Sequence, residues 1–263
     1  MSDPIVDWAL AYPFARPGHD YVLLPEGARR LVSFDPKDIG RGGVETDAGT
    51  TSLAQRAPRS IECGWTATIA SGSNAGVAQL QRKFHDLLDG HGVIVLEGRL
   101  EGFVCVYSAH IAAYGSVPAT LWPIEGADTN IACVLVPNAL MPRLHETENI
   151  GVSYGFFALK GAEFRHETHK LDQVLHAYLS FHGGLVLEDT LIAQAGRDVH
   201  GADALPRMTQ PEVLEAVRER MGYESVSAFV HAVVGDGDRR EREIARLHGL
   251  SRPMPLESFE RVA

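Results

Sequence analysis

The chain has 263 residues, of which 45% are hydrophobic and 22% charged, as is typical of a globular protein. Its formal net charge is −10 at pH 7 and it has no Lys/Arg-rich block, which argues against nucleic acid or an anionic membrane surface as the main partner. No apolar stretch approaches the roughly 20 residues of a membrane span and the N-terminus lacks a signal-peptide pattern, so we expect no membrane partner and a cytoplasmic protein.

Residues 1–60 are predicted to form an N-terminal arm with little regular structure, because Pro, Gly, Arg and Asp are frequent and no hydrophobic period persists. The exception is YVLLPEGARRLVSF, residues 21–34, where two apolar runs flank a turn predicted at Glu26-Gly27. We therefore expect one short hairpin within the arm.

Residues 61–165 carry the strongest strand patterns and are predicted to form the core. ECGWTATIA (62–70) alternates apolar and small polar side chains, and TNIACVLVP (129–137) is the nearly continuous apolar run of a buried strand. Between them, GVIVLEGRLEGFVCVYSAHI (92–111) is predicted to form two strands separated by glycine turns.

Two helices are predicted within this core. The first covers residues 75–89 and ends at Gly90, because apolar side chains recur in it at helical spacing. These side chains are Val77, Leu80, Phe84, Leu87 and Leu88. The second is short and lies in PNALMPRLHETE, residues 137–148.

Residues 166–263 are predicted to form a C-terminal extension packed on the core. LSFHGGLVLEDTLIAQAG (179–196) indicates strands with a turn at Gly183-Gly184, and two helices follow. The first of these begins with the capping-box spacing from Thr209 to Glu212, and the last is RREREIARLHG, residues 239–249. The three cysteines lie in apolar runs and are predicted to be reduced core residues: Cys63, Cys105 and Cys133.

The stretch IASGSNAGVAQLQRKF, residues 69–84, places a Gly-Ser-Asn loop between a strand and a helix. The start of a helix leaves backbone N–H groups without intrahelical partners, and these groups suit a carboxylate, a phosphate or a developing oxyanion. Glu146 and Glu148 end the second helix two residues apart, which separates them by about 200°. We expect one of these carboxylates to be solvated and the other to point inward.

Other polar patterns are compatible with different chemistry. His166 and His169 have an H-x-x-H spacing, but a third metal ligand cannot be picked from the sequence, and surface histidines explain the pair better. Asp236 and Asp238 lack the later ligands of a calcium loop and are predicted to lie in a loop that caps a helix. Ser71 and Ser73 lack the G-x-S-x-G elbow of serine hydrolases.

Three stretches together resemble the γ-glutamylcyclotransferase-like family. TATIASGSNAGVAQLQRKF (66–84) is similar to the family's strand, YGSN substrate loop and helix. GFVCVYSAHIAAYGSVPATLWP (102–123) is similar to its next core strands, and its YSAH, AYG and PATL motifs resemble bacterial members. IACVLVPNALMPRLHETENIGVSYGFF (131–157) is similar to its strand, short helix and glutamate segment, followed by a tyrosine-bearing strand. The resemblance covers residues 62–160 and neither terminal region.

This resemblance implies an α+β fold, with a small mixed β-barrel-like sheet, packed helices, and N- and C-terminal extensions. It implies that Glu148 is the general acid/base and that the loop grips a γ-glutamyl head group. Ser71 stands where the family has tyrosine, so an aromatic wall and a phenolic hydroxyl are lost, and Tyr114 is a candidate to fill that space. The candidate substrate-binding residues are Ser71, Gly72, Ser73, Asn74, Tyr114 and Tyr154.

The activity implied by the resemblance is intramolecular cyclisation of a γ-glutamyl amide, which releases an amine and 5-oxoproline without a metal or cofactor. It belongs with amine-releasing lyases or acyltransferases, and it requires the loop and Glu148 to line one hollow. An alternative is a divergent, non-catalytic protein that binds a small ligand on the same fold. A third hypothesis, a metal-dependent hydrolase using His166 and His169, ranks last.

Overall fold

The computed structural model describes residues 3–263 and divides them between two units that alternate along the chain. Unit 1 comprises the described residues up to Pro13 together with Gly102–Thr129 and Leu179–Leu256. Unit 2 comprises Phe14–Glu101, Asn130–Tyr178 and Glu257–Ala263. The sequence predicts three consecutive segments instead, and the first two residues of its arm lie outside the described part.

The fold is a mixture of helices and strands, as the α+β prediction requires. The helices of unit 1 are α1 (Pro4–Leu10), α6 (Gln210–Met221), α7 (Val226–Gly235) and α8 (Gly237–Leu247). Those of unit 2 are α2 (Leu53–Arg56), α3 (Pro58–Cys63), α4 (Val77–Phe84) and α5 (Met141–Thr147). Both core helices predicted from periodicity, α4 and α5, are confirmed with shorter bounds. Helix α7 was not predicted, because VSAFVHAVVG is apolar on nearly all sides and its sequence shows no contrast between an apolar and a polar face.

Unit 2 is built on one long mixed sheet. Its own strands are β1 (Tyr21–Leu24), β2 (Gly27–Ser33), β3 (Gly43–Thr46), β4 (Gly49–Ser52), β5 (Trp65–Ala70), β8 (Tyr154–Ala158), β9 (Phe164–His166) and β17 (Glu260–Arg261). Three strands run past its boundaries: β6 (Val93–Tyr107), β7 (Ala119–Pro137) and β10 (Leu175–Ser180). The strand order is β17-β8-β10-β5-β7-β6-β1-β2-β3-β4, with β10 parallel to β5 and β7 antiparallel to it.

One continuous strand, β6, replaces the two strands predicted over residues 92–111. A Cβ at Gly98 would lie 2.5 Å from the Arg165 carbonyl oxygen of the paired strand β9. This glycine therefore permits a close approach between strands and makes no turn. The sequence pattern alone does not separate these two uses of glycine.

The N-terminal region is regular, which corrects the prediction of an irregular arm over residues 1–60. It contributes α1, two hairpins, α2 and α3. The predicted hairpin is confirmed as β1–β2, with Leu24 opposite Gly27, so the turn residues are Pro25 and Glu26. All four residues of β1 are buried, and β1 also pairs with β6, so this segment belongs to the interior of the sheet.

Unit 1 has the shorter strands β11 (Gly184–Leu187), β12 (Thr190–Leu191), β13 (Ala193–Gln194), β14 (Val199–His200), β15 (Arg207–Met208) and β16 (Ser251–Arg252). One of its core clusters joins α1, α6, α7 and α8 to residues of β6 and β11. The capping box predicted for α6 is confirmed, since the Thr209 N–H donates to Glu212 Oε2 at 2.7 Å. The cysteines are free thiols, with Cys105 and Cys133 buried and Cys63 partly exposed.

Neither a closed barrel nor a membrane-spanning helix is seen among the described residues 3–263. The strand order of unit 2 does not return on itself there, so the barrel-like closure stays a prediction. Within the same residues, no helix is both long enough and apolar enough to cross a membrane.

The core of unit 2 fixes the two elements that carry the predicted site. Leu80 and Phe84 of α4 and Leu144 of α5 are buried in one cluster with Tyr154 and Tyr178. Helix α4 follows β5 directly through residues 71–76. Burial of these apolar side chains holds both helices against the sheet, since each such side chain contributes roughly 1.5–3 kcal/mol.

Candidate functional site

The Gly-Ser-Asn loop forms a tight bend between β5 and α4. Ser71 and Asn74 are buried, and Gly72 and Ser73 are partly exposed. Ser73–Ala75 forms one 3-10 turn, closed by the Gly76 N–H donating to the Ser73 carbonyl at 2.9 Å. The buried Tyr21 hydroxyl donates to the Ala75 carbonyl at 2.7 Å. The end of the loop is therefore anchored to strand β1 through Tyr21.

Glu148 ends α5, and its side chain turns inward. Its backbone N–H donates to the Leu144 carbonyl at 3.1 Å, and its side chain is 15% exposed. Glu146, two residues earlier, is 78% exposed and pairs with Arg143 at 3.5 Å. This contrast confirms the expectation from helix geometry that only one of the two carboxylates faces inward.

Lys83 of α4 joins the loop to Glu148. Its side chain is 2% exposed, and its Nζ donates to Asn74 Oδ1 at 2.7 Å and forms an ion pair with Glu148 Oε1. An ammonium buried without an anion is strongly unfavourable, so the carboxylate and the amide oxygen together make this burial possible. We call Asn74, Lys83 and Glu148 the lysine cluster.

Lys83 is not among the predicted site residues, although the sequence contains a signal for it. Lys83 stands three residues after Leu80 and next to Phe84, at a position that belongs to the apolar stripe of α4. A lysine in an apolar stripe predicts either a side chain that extends to solvent or a buried ion pair. Its partner could not be identified from spacing, because Glu148 lies on another helix.

A tyrosine–histidine pair lies next to Glu148. The Tyr178 hydroxyl and His145 Nδ1 are 2.9 Å apart. Burial raises the pKa of Tyr178 above its usual range, and the negative charge of Glu148 adds to this rise. Burial lowers the pKa of His145, while the charge of Glu148 acts in the opposite direction. Both groups therefore lie within the electrostatic field of the Glu148 carboxylate.

All the predicted site residues except Tyr114 belong to one unit. Residues 71–74, Glu148 and Tyr154 all belong to unit 2, and Tyr154 is buried in the same apolar cluster as Ala75 and Tyr178. Tyr114 belongs to unit 1, where it lies in a turn closed by the Ala112 N–H and the Ser116 carbonyl at 2.9 Å. It is no part of the lysine cluster.

Two cavities in unit 2 are lined by residues outside the lysine cluster. The larger, of about 500 Å³, has walls that include Tyr21, Arg29 and Arg30. The smaller, of about 250 Å³, has walls that include Lys37 and Asp172. Neither is lined by Glu148 or by residues 71–74, so the hollow shared by these residues stays a prediction.

The histidines of the metal hypothesis have other partners. His166 Nε2 lies 2.6 Å from Asp20 Oδ2, and the rings of His166 and His169 stack with centroids 5.8 Å apart. Across residues 3–263, no group of three or more His, Cys, Asp or Glu side chains is arranged to hold a metal ion. These contacts fit a structural role for His166 within unit 2.

Comparisons with known proteins yield a weak structural neighbour. The chain matches no protein family profile and no curated protein. It aligns with a solved structure, YkqA from Bacillus subtilis, at 15% identity and a TM-score of 0.36, over 80% of this chain and 70% of that one.

Proposed function

We propose that the chain is a γ-glutamylcyclotransferase-like enzyme that cyclises a γ-glutamyl amide, with release of an amine and 5-oxoproline. The supporting observation is the lysine cluster, in which Asn74 of the loop and Glu148 of α5 accept hydrogen bonds from one buried ammonium. In this proposal the sheet of unit 2 is the family's barrel-like sheet, and no metal or cofactor takes part.

The cyclisation requires only a few catalytic functions from the protein. The α-nitrogen of the substrate attacks its own γ-carbonyl, a C–N bond forms in a five-membered ring, and the original amide C–N bond breaks. Because the attack is intramolecular, the protein has to fold the substrate and move protons. Glu148 takes a proton from the α-ammonium, and backbone N–H groups of residues 72–74 stabilise the developing oxyanion.

Lys83 gives the Glu148 carboxylate a defined orientation in this proposal. The ion pair uses Oε1 of Glu148, so we assign Oε2 to the substrate ammonium. Lys83 itself is too deeply buried to contact substrate and acts as a positioning residue. The position of the loop relative to the Glu148 carboxylate is then fixed, because both are bonded to Nζ of Lys83.

The test is incubation of the full chain with a panel of γ-glutamyl amides and dipeptides, with chromatographic detection of 5-oxoproline. We expect Glu148→Gln to lower turnover by about 10²–10⁴-fold. Glu146→Gln is the matched control, since it changes an exposed carboxylate of the same helix and should keep the wild-type rate. A folded Glu148→Gln variant with the wild-type rate would refute the assignment of this residue.

A second candidate function is ligand binding without turnover. It is favoured by the Lys83–Glu148 ion pair, which already occupies the carboxylate, and by Ser71 in place of the family tyrosine. Calorimetric titration with 5-oxoproline and with each amide separates the two candidates. Saturable binding that Asn74→Ala weakens, with no product from any amide, would favour the binding protein.

A further inference from the structure

His145 is a second group in this site that is able to carry a proton. It precedes Glu148 by three residues on α5, so the two side chains emerge on the same side of the helix. Its ring lies edge-on to Phe156, with centroids 4.9 Å apart, and remains partly exposed. No sequence motif predicts a role for this histidine.

The bond to Tyr178 orients the imidazole. The pKa of Tyr178 is raised by burial, so the phenol keeps its proton, and its oxygen can accept the Nδ1–H of His145. In that tautomer Nε2 of the neutral ring carries no proton and keeps its lone pair. Nε2, the nitrogen that is not bonded to tyrosine, is then the one that accepts a proton.

The groups that face His145 come from each element packed around it. Glu148 lies on the same helix, Lys83 of α4 is paired with Glu148, and Tyr178 lies on β10. Phe156 of β8 contacts the ring edge-on and stacks on His176, with the centroids of Phe156 and His176 5.0 Å apart. Glu148 is the charge among them that favours the protonated imidazole.

The proposed reaction has to move two protons. The α-nitrogen enters as an ammonium with three hydrogens and leaves as a lactam N–H with one. The leaving nitrogen starts as an amide N–H and ends as an ammonium, so it gains the two protons that the α-nitrogen loses. One carboxylate holds only one of them at a time.

We propose that His145 is the second proton carrier of the site, working in a pair with Glu148. Glu148 takes the first proton from the substrate ammonium, and His145 takes the proton released when the α-nitrogen bonds to the γ-carbon. Both protons pass to the departing nitrogen as its bond to that carbon breaks. This inference rests on the proposed function and adds the requirement that the two groups titrate as a coupled pair.

The first test needs no substrate. The ring of His145 is followed by NMR in histidine-labelled full chain as pH is varied, with His145→Gln used for assignment. We expect Glu148→Gln to lower the titration midpoint of His145 by about 0.5–1 pH unit, because a neighbouring negative charge is lost. Glu146→Gln should leave the midpoint in place, and an unchanged midpoint in Glu148→Gln would overturn the inference.

The second test uses turnover. We expect His145→Gln to lower the rate by about 10–10²-fold and to flatten one limb of the pH–rate profile. His176→Gln removes a neighbouring histidine of the same aromatic stack and should keep both limbs. Tyr178→Phe keeps the ring and serves if His145→Gln does not fold; it should shift the same limb.

The outcomes separate this inference from the proposed function. If the wild type forms 5-oxoproline and a folded His145→Gln variant matches it at every pH, the second carrier is wrong and the assignment of Glu148 stands. If the wild type cyclises none of the amides, the proposed function fails, and the carrier role fails with it.

Discussion

Both units bury titratable side chains, but they keep them in different charge states. In unit 2, Lys83 and Glu148 are buried as an ion pair. In unit 1, His110 and His182 stack with ring centroids 4.4 Å apart, and His182 Nδ1 lies 2.9 Å from His248 Nε2. Burial lowers the pKa of His110 to about 3 and that of His182 to about 4, so these rings are neutral at pH 7.

The difference shows two ways in which a protein can tolerate polar groups in its interior. A charge can be matched by an opposite charge, as in the lysine cluster, or a weak base can lose its charge altogether. The first arrangement is destabilised when one partner is removed. The second is destabilised at low pH, where the buried base has to bind a proton. Mutation should therefore perturb unit 2 most, and acid should perturb unit 1.

The largest expected effect is that of Lys83→Met on unit 2. This change leaves the Glu148 carboxylate without its cation and Asn74 Oδ1 without its donor. We expect a loss of about 3–5 kcal/mol, the usual result of breaking a buried pair from one side. Hydrogen exchange of amides in α4, α5 and β5 measures the loss locally.

A double variant distinguishes pairing from general damage to α4. Lys83→Met combined with Glu148→Leu removes both charges and leaves apolar side chains of similar size. We expect it to recover most of the stability lost in Lys83→Met alone. A double variant that is as unstable as the single one would contradict the idea that the unmatched carboxylate causes the loss.

The next effect is the acid sensitivity of unit 1. A histidine in the unfolded chain binds a proton below about pH 6.5, whereas His110 in the folded protein binds one only when the pH approaches about 3. The unfolded state therefore binds more protons between these values, and stability falls as pH falls from about 6.5 toward about 3. For His110 alone we expect a loss of about 2 kcal/mol between pH 7 and pH 5.

This pH dependence is checked by hydrogen exchange of unit 1 amides at both pH values. His110→Leu removes the titrating base while keeping an apolar side chain, and it should flatten the dependence. The partly exposed His182 adds a smaller contribution, because solvent screens its charge. Equal stability of the wild-type unit 1 at pH 7 and pH 5 would show that the imidazoles are not buried as neutral groups.

The same comparison shows what the sequence could predict. The β1–β2 hairpin, α4, α5 and the capping box of α6 depend on contacts a few residues apart, and local pattern predicted each of them. Local geometry also predicted that only one of Glu146 and Glu148 turns inward, since two carboxylates two residues apart cannot share one helix face. The choice of Glu148 came from the family resemblance.

The contacts that characterise each cluster are long-range, and this is why they were missed. Lys83 meets Glu148 across 65 positions, and His182 meets His248 across 66. The charge of one residue does not reveal which distant residue compensates it. The continuous strand β6 was missed for a related reason, because the close approach of Arg165 to Gly98 is also a contact between distant segments.

The smallest expected effect tests whether the neutral histidines of unit 1, His110 and His182, depend on neighbouring hydrogen bonds between neutral groups. Ser108 Oγ and Ser180 Oγ are 2.7 Å apart, and both serines are fully buried. Ser180 Oγ also accepts a hydrogen bond from the backbone N–H of His182 at 3.1 Å. In Ser108→Ala, Ser180 keeps this second partner. We therefore expect a loss of about 1 kcal/mol, the same at pH 7 and pH 5, since no charge is involved.

A matched control for this variant is Thr129→Val, which removes another buried neutral hydrogen bond of unit 1, from Thr129 Oγ1 to the Phe103 carbonyl at 2.6 Å. Both losses are read from hydrogen exchange of unit 1 amides, and both should be independent of pH. If the cost of Ser108→Ala grows at pH 5 while that of Thr129→Val stays constant, the serine pair supports the neutral histidines directly. The two clusters would then differ less than their charges suggest, because each would depend on a specific buried partner.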